Sequence, residues 1–184
     1  MYYGYDDCKK YAEDPASSKP LIQCEYAHAM GNSEGGFKEY WELIRKYPKY
    51  QGGFIWDFVD QSVRWEGKNG AMIYAYGGDF NRFDASDINF CDNGLISPDR
   101  RPNPHMEEVG FYYQNIWTSN NYSDIITIHN ENFFRDLSAY YLEWELLKDG
   151  LPVRSGRIDD LPVAPQQSVR VQLHCGQVSL TAEW

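Results

Sequence analysis

The sequence predicts an α/β segment followed by an all-β segment, with the change of character near residue 115. Three observations carry this. First, a strand-like apolar run, an amphipathic helix and a second strand-like run follow one another within about 35 residues; such a βαβ unit implies a parallel sheet. Second, an Asn-Gly pair separates two short strand-like runs further on, a strong local signal for a hairpin. Third, from about residue 117 the chain becomes a series of short alternating segments, the pattern of an antiparallel sandwich of immunoglobulin type. The Cys…Trp…Cys spacing of a true antibody domain is missing from that part.

The elements follow in order. Leu21-Ile22-Gln23-Cys24, after Pro20, suits a buried strand that ends at Glu25. Phe37, Tyr40, Trp41 and Ile44 fall at i, i+3, i+4, i+7 of a helix, with Lys38, Glu39, Glu42, Arg45 and Lys46 on the opposite face. Asn32 or Ser33 is expected to cap its start, and Pro48 marks its end. Gly53 to Val59 reads as the second strand. Asn69-Gly70 then lies between Arg64-Trp65-Glu66 and Ile73-Tyr74-Ala75-Tyr76. Residues 79 to 101, rich in Asp, Asn and Gly, read as a long irregular loop, and Pro102 is expected to open a short helix through about Gln114. In the second part, Ile126 and Ile128, then Leu142, Trp144 and Leu146, alternate with polar neighbours. Asp149-Gly150 is a turn, Val153 resumes the strand pattern, and Val169, Val171 and Leu173 repeat it, as do Val178, Leu180 and Ala182.

Composition removes several classes of function. The net charge of −10, from 27 acids against 17 bases, lacks the basic footprint of a nucleic-acid partner, and Arg100-Arg101 is too short to supply one. No apolar run approaches a membrane span, and the N-terminus has no secretion-signal pattern. Cys8, Cys24, Cys91 and Cys175 form no CxxC pair, so they read as free, mostly buried thiols. The 15 Tyr, 9 Phe and 6 Trp suit either a packed core or aromatic platforms in a cleft; sugars stack their C–H faces on such rings.

Glu25 is the first candidate for chemistry. An acid at the end of a parallel strand stands where α/β folds place their reactions, and Tyr26, His28 and Asn32 follow in one short loop. Neighbouring donors can hold such a carboxylate ionised. A strand-end acid in a structural hydrogen bond fits the same pattern.

Three blocks carry a resemblance. Pro20-Leu21-Ile22-Gln23-Cys24-Glu25-Tyr26-Ala27-His28-Ala29-Met30-Gly31-Asn32-Ser33 resembles the nucleophile signature of family 2 β-galactosidases. Gln51 to Ser62, and Tyr76 to Phe80 with Asn89 to Leu95, resemble two further blocks of that family, in order and with its approximate spacing. The resemblance implies a retaining hydrolysis of terminal β-galactosides such as lactose, through a galactosyl intermediate on Glu25. It matches His28 to a sugar contact suited to the 6-hydroxyl and Trp56 to the aromatic floor under the ring, though Trp56 could also be core. It matches the Phe90 carbonyl and the Asn93 side chain to ligands of a sodium ion; without the family, Asn93-Gly94 reads as a turn. Asn32, Asp57 and Asp79 are candidates for supporting groups behind these.

The fold implied is the end of a (β/α)8 TIM barrel over residues 1–115, followed by an immunoglobulin-like β-sandwich over 116–184. A barrel takes roughly 200 residues or more, so these last strands and helices are expected to form an incomplete one. By the resemblance the acid/base glutamate, the magnesium ligands and one sodium ligand belong to the remainder of the enzyme chain. The polypeptide alone is therefore expected to be inactive. A sandwich one strand short and two open barrel strands lead to an expectation of oligomers or partial disorder of residues 1–110. Other readings are a different family 2 glycosidase, a β-glucuronidase or β-mannosidase, and a non-catalytic sandwich module. The His28 loop and the Phe90 to Asn93 block favour galactose, again by resemblance.

Overall fold

The computed structural model describes residues 2–120 and 124–176. The chain divides into two compact units, Met1–Tyr113 and Gln114–Trp184.

The first unit opens with helix α1 (Tyr5–Glu13), which the sequence reading did not anticipate. Only Cys8 and Ala12, four apart and both small, are buried on it, so its apolar stripe is too narrow to stand out. Strand β1 (Leu21–Tyr26), helix α2 (Phe37–Lys46) and strand β2 (Tyr50–Ile55) follow, and β1 pairs with β2 in parallel. The βαβ unit is thus present, with shifted strand bounds. β1 continues through Glu25 to Tyr26, because Tyr26 still opposes Ile55 across an irregular step after Gln23. β2 starts at Tyr50, opposite Leu21, and ends at Ile55 rather than Val59. Beyond Ile55 the backbone changes partner: the Trp56 carbonyl accepts the Ala29 N–H, and the Asp57 N–H donates to the Asn93 carbonyl.

The apolar face of α2 is the expected one, but its start is not. The residue before it is Gly36, in the left-handed region at φ 70, with no side-chain cap. The Phe37 N–H instead donates to Glu108 Oε1 at 3.0 Å, while the Ser33 hydroxyl donates to the His28 carbonyl. A carboxylate brought from elsewhere does the work expected of Asn32 or Ser33. Tyr26, Phe37, Leu95 and Val109 form one buried cluster, with Tyr40 and Trp41 packed on it. Cys8, Ala12 and Tyr50 form a second, with Leu43 and Ile44 against it.

Strands β3 (Val63–Glu66) and β4 (Met72–Ala75) form the hairpin, closed by residues 67–71 with Gly70 at φ 78. Residues 79–101 are irregular apart from a 3-10 turn at Ile88–Cys91 and bridges from Ile96 to Val59 and Pro102. Helix α3 (Met106–Tyr112) starts later than Pro102 suggested, since Pro102 bridges Ile96 and the Asn103 N–H donates to the Leu95 carbonyl.

The second unit is all β in its described residues. β5 (Ile116–Asn120), β6 (Ile125–Asn130) and β9 (Ser168–Gln172) form an antiparallel sheet in the order β5-β6-β9, and β7 (Leu142–Lys148) pairs antiparallel with β8 (Leu151–Ile158). Asp149 and Gly150 both have positive φ and join β7 to β8 in two residues, a geometry suited to the twist of paired strands. Ile126, Ile128, Leu137, Leu161 and Val163 are the core, and residues of both sheets, including Ile116, Leu142, Ile158 and Val171, pack on it. Asn130 lies within this core at 0% exposure; its Nδ2 donates to the Arg135, Val163 and Ala164 carbonyls, and its Oδ1 accepts from both nitrogens of Asn132. The strand expected over Val178 to Ala182 lies outside the described residues.

All four cysteines are free thiols; Cys8 and Cys175 are buried, whereas Cys24 is exposed and Cys91 half-buried. Cys24 departs from the expectation because it alternates outward with Ile22 on β1.

Candidate active site

Glu25 is the penultimate residue of β1 and is half-buried, with the Tyr2 phenol beside its carboxylate. The main chain adds a tie, from the Tyr2 N–H to the Glu25 carbonyl at 3.1 Å. Burial first, then the polar contact with Glu25 and the negative charge of Glu25, Cys24 and Asp57, push the Tyr2 phenol up to about 12. Tyr2 therefore keeps its proton at neutral pH, beside the Glu25 carboxylate. No local pattern in the sequence points to Tyr2, since the contact depends on how the N-terminal segment runs back to β1.

Just past the strands, Ala27 takes a left-handed conformation at φ 48 and the chain turns into the His28 loop. Two bonds fasten this loop to the end of β2: Trp56 N–H to the Tyr26 carbonyl at 3.3 Å, and Ala29 N–H to the Trp56 carbonyl at 3.0 Å. The His28 ring lies between those of Tyr2 and Phe90, with centroids 5.9 Å from each. Trp56 is 40% exposed, so its indole is not core. It lines an open depression of about 530 Å³ together with Gln61, Tyr76, Phe80 and Phe90. The structure thus gathers Glu25, His28, Trp56 and Phe90 around the ends of the two parallel strands.

Asn93 is 1% exposed, and its Nδ2 donates to the Phe90 carbonyl. Its Oδ1 is buried with no hydrogen-bond donor, as are Asp57 Oδ1 and Asp92 Oδ1. Buried oxygens without donors are costly. These three belong to residues joined directly, Asp92 and Asn93 by the chain and Asp57 by its N–H on the Asn93 carbonyl at 2.7 Å. Turning the Asn93 amide over would exchange Nδ2 for Oδ1 and bring two oxygens together at the Phe90 carbonyl. Such an all-oxygen donor set fits a hard cation. Among the described residues no group of three or more His, Cys, Asp or Glu is placed to hold a metal ion.

The supporting candidates separate. Asp57 lies inside the site: its Oδ2 accepts from Gln61 Nε2 at 2.6 Å and its carbonyl from the Leu95 N–H at 3.0 Å. Asn32 is exposed. Asp79 is exposed and closes its own turn, accepting the Tyr76 N–H at 2.9 Å.

Asp60, Asn103 and His105 join these residues, though the sequence alone does not mark them. Asp60 Oδ1 accepts the Gly94 N–H at 2.7 Å, and its Oδ2 accepts from Asn103 Nδ2 at 3.2 Å. Asn103 Nδ2 and His105 Nε2 meet the Gly94 carbonyl at 2.8 and 3.0 Å. Position 94 must be glycine for a steric reason: a Cβ there would collide with the backbone of Val59 and Asp60. Asp60 stands inside a block that the reading had singled out; the other two carried no signal.

Comparison with known proteins bears on this geometry. The family model described as glycosyl hydrolases family 2, TIM barrel domain, matches residues 1–118, and the one described as beta-galactosidase, domain 4, matches residues 126–184. Curated proteins named beta-galactosidase are similar: that of Halalkalibacterium halodurans is 46% identical over 92% of this chain, that of Photobacterium profundum 43% over 90%, and that of Alteromonas mediterranea 41% over 90%. The chain spans 16% of the length of each. A solved β-glucuronidase of Bacteroides uniformis aligns over 85% of this chain and 19% of its own, at 14% identity, but its TM-score of 0.31 is too low to bear on the fold.

Proposed function

This chain belongs to glycosyl hydrolase family 2, and from that premise we propose that it is the nucleophile-bearing part of a retaining β-galactosidase. The observation that carries the reading is the gathering of Glu25, His28 and Trp56 where β1 and β2 end, with the Tyr2 N–H bonded to the Glu25 carbonyl.

The chemistry follows from the residues. An ionised Glu25 attacks the anomeric carbon as its bond to the aglycone oxygen breaks, and the aglycone leaves with a proton from the acid/base of the remainder of the enzyme; water, giving its proton to that same group, then displaces Glu25 from the ester and releases the sugar with net retention. Tyr2 ties the backbone at Glu25 and stands beside its carboxylate with its own proton kept. Trp56 offers an exposed apolar face for the C–H side of the ring. His28, steadied between Tyr2 and Phe90, can hydrogen-bond a hydroxyl at the edge of the ring. The Phe90 carbonyl and Asn93 Oδ1 are the groups that would hold a sodium ion, which when bound would supply a fixed positive charge for the 6-hydroxyl oxygen. The acid/base carboxylate and the magnesium ligands are assigned to the remainder of the enzyme. In architecture, residues 1–115 are read as the end of the barrel and 116–184 as an immunoglobulin-like sandwich, supported by the parallel βαβ unit and by the core that both sheets of the second unit share.

The test is chemical trapping in the full-length protein that carries this sequence. A 2-deoxy-2-fluoro galactoside with a good leaving group slows hydrolysis of the intermediate, and peptide mass spectrometry then finds the labelled residue. The expected adduct is on the peptide that contains Glu25. A label on another carboxylate would overturn the assignment.

A further inference from the structure

Resting on the galactosidase reading, we propose that His105 is a positioning residue for the part of the site built on Asn93, and that Glu34 is the group that orients it. The loop from Ala27 to Gly36 carries His28, and the segment from Phe90 to Ile96 carries Asn93. At the site itself the two meet through rings, His28 against Phe90. Behind the site one imidazole joins them: His105 Nε2 is 3.0 Å from the Gly94 carbonyl and 3.1 Å from Glu34 Oε2.

The chemistry of that atom is constrained. A carbonyl oxygen can only accept, so the Nε2 proton must be present and directed at Gly94. A carboxyl oxygen 3.1 Å from the same nitrogen favours the tautomer with the proton there, through charge and not through a hydrogen bond of its own. The Glu34 side chain is 0% exposed, and neither of its oxygens has a hydrogen-bond donor. Burial opposes its ionisation and the nearby Glu108 adds like charge, lifting its pKa to about 8. An apolar side chain would fill the same space without that cost. A carboxyl retained here has its use in the imidazole it touches, and the imidazole has its use in the carbonyl next to Asn93. Glu108 holds a separate bond, to the Phe37 N–H, and cannot replace Glu34.

The experiment compares two nitrophenyl substrates in the full-length protein: the β-D-galactopyranoside, and the α-L-arabinopyranoside, which is the same ring without the 6-hydroxymethyl group. His105→Ala is expected to lower the preference for the galactoside about tenfold, chiefly through KM. His105→Gln, which keeps an N–H, should recover part of it, and Glu34→Gln should fall between. Hydrogen–deuterium exchange supplies a readout independent of turnover: in His105→Ala the peptide over residues 91–96 should exchange faster while that over 21–26 does not change. An equal loss on both substrates, an unaltered preference, or unaltered exchange over 91–96 would overturn the proposal. If the unsubstituted protein hydrolyses neither substrate, the galactosidase reading itself falls, and this proposal with it.

Discussion

Two stretches of the first unit, the segment 93–96 and the hairpin β3–β4, are held in place by opposite means. Residues 93–96 are buried, and their backbone bonds run to other parts of the chain: Asp57, Phe58, Asp60, Asn103 and His105. The hairpin β3–β4 bonds chiefly to itself, and of its eight strand residues Ala75 alone is buried. Its outside ties are few, among them the Tyr74 hydroxyl on Asp99 at 2.6 Å and the Trp65 ring against Phe80 at 5.3 Å. A group that must meet a sugar or an ion to within a fraction of an ångström needs the first kind of support, because each independent bond removes a direction of movement. A wall that only bounds the space can be built from the second.

Substitutions can break or sharpen that contrast. The largest effect is on turnover. Glu25→Gln in the full-length protein should lower kcat on the order of 10⁴-fold or more, while the polypeptide of residues 1–184 alone should show no turnover that depends on Glu25. Stable turnover by that polypeptide would sink the assignment of the acid/base to the remainder of the enzyme. Next comes Gly94→Ala, which drives a methyl into the Val59–Asp60 backbone; a loss of about 3 kcal/mol is expected from the urea midpoint. A loss no larger than that of a hairpin substitution would show that the buried segment is soft. Asp60→Ala leaves the buried Gly94 N–H without its acceptor and should cost about 2 kcal/mol in the same measurement.

Glu34→Gln acts on the pH dependence of stability. Burial lifts Glu34 to about 8 in the folded chain from 4.5, so the unfolded chain loses its proton first as pH rises. This contribution is fully present below about pH 4.5, declines from there to about pH 8 and is flat above. The Gln variant should lose that slope in urea midpoints taken across the range. Trp65→Ala, in the hairpin, should cost least, about 1 kcal/mol; a larger loss would mean that the hairpin is braced by more than its own ladder.

Much of the frame was legible in the sequence, and the reasons differ by element. The βαβ unit could be read because α2 repeats its apolar residues at 3.6 spacing and both strands are dense in apolar side chains. The hairpin and the 149–150 turn could be read because Asn-Gly and Asp-Gly specify backbone conformations that few residues adopt. What escaped was supplied from a distance. The cap of α2 comes from Glu108, 71 residues on, and the donor to the Glu25 carbonyl comes from Tyr2. β2 was misplaced by several residues because the run Gly53–Val59 is apolar throughout, whereas its backbone changes partner at Trp56. Glu25 and Trp56 stand out in the sequence because the blocks that hold them are long; His105 does not, because one histidine after a proline has no pattern to belong to.

Asn130 has a consequence on a longer timescale. Asparagines age by cyclisation: the amide nitrogen of the next residue attacks the side-chain carbon, ammonia leaves, and hydrolysis yields aspartate or isoaspartate. In the second unit both reactants are occupied. The Asn130 amide is held by five bonds, and the Glu131 N–H that would have to attack donates instead to the Asn115 carbonyl at 2.7 Å. While folded, this residue is shielded from a reaction that would leave a carboxylate facing three carbonyl oxygens, so its lifetime is set by how often the core opens and not by the chemistry of the amide.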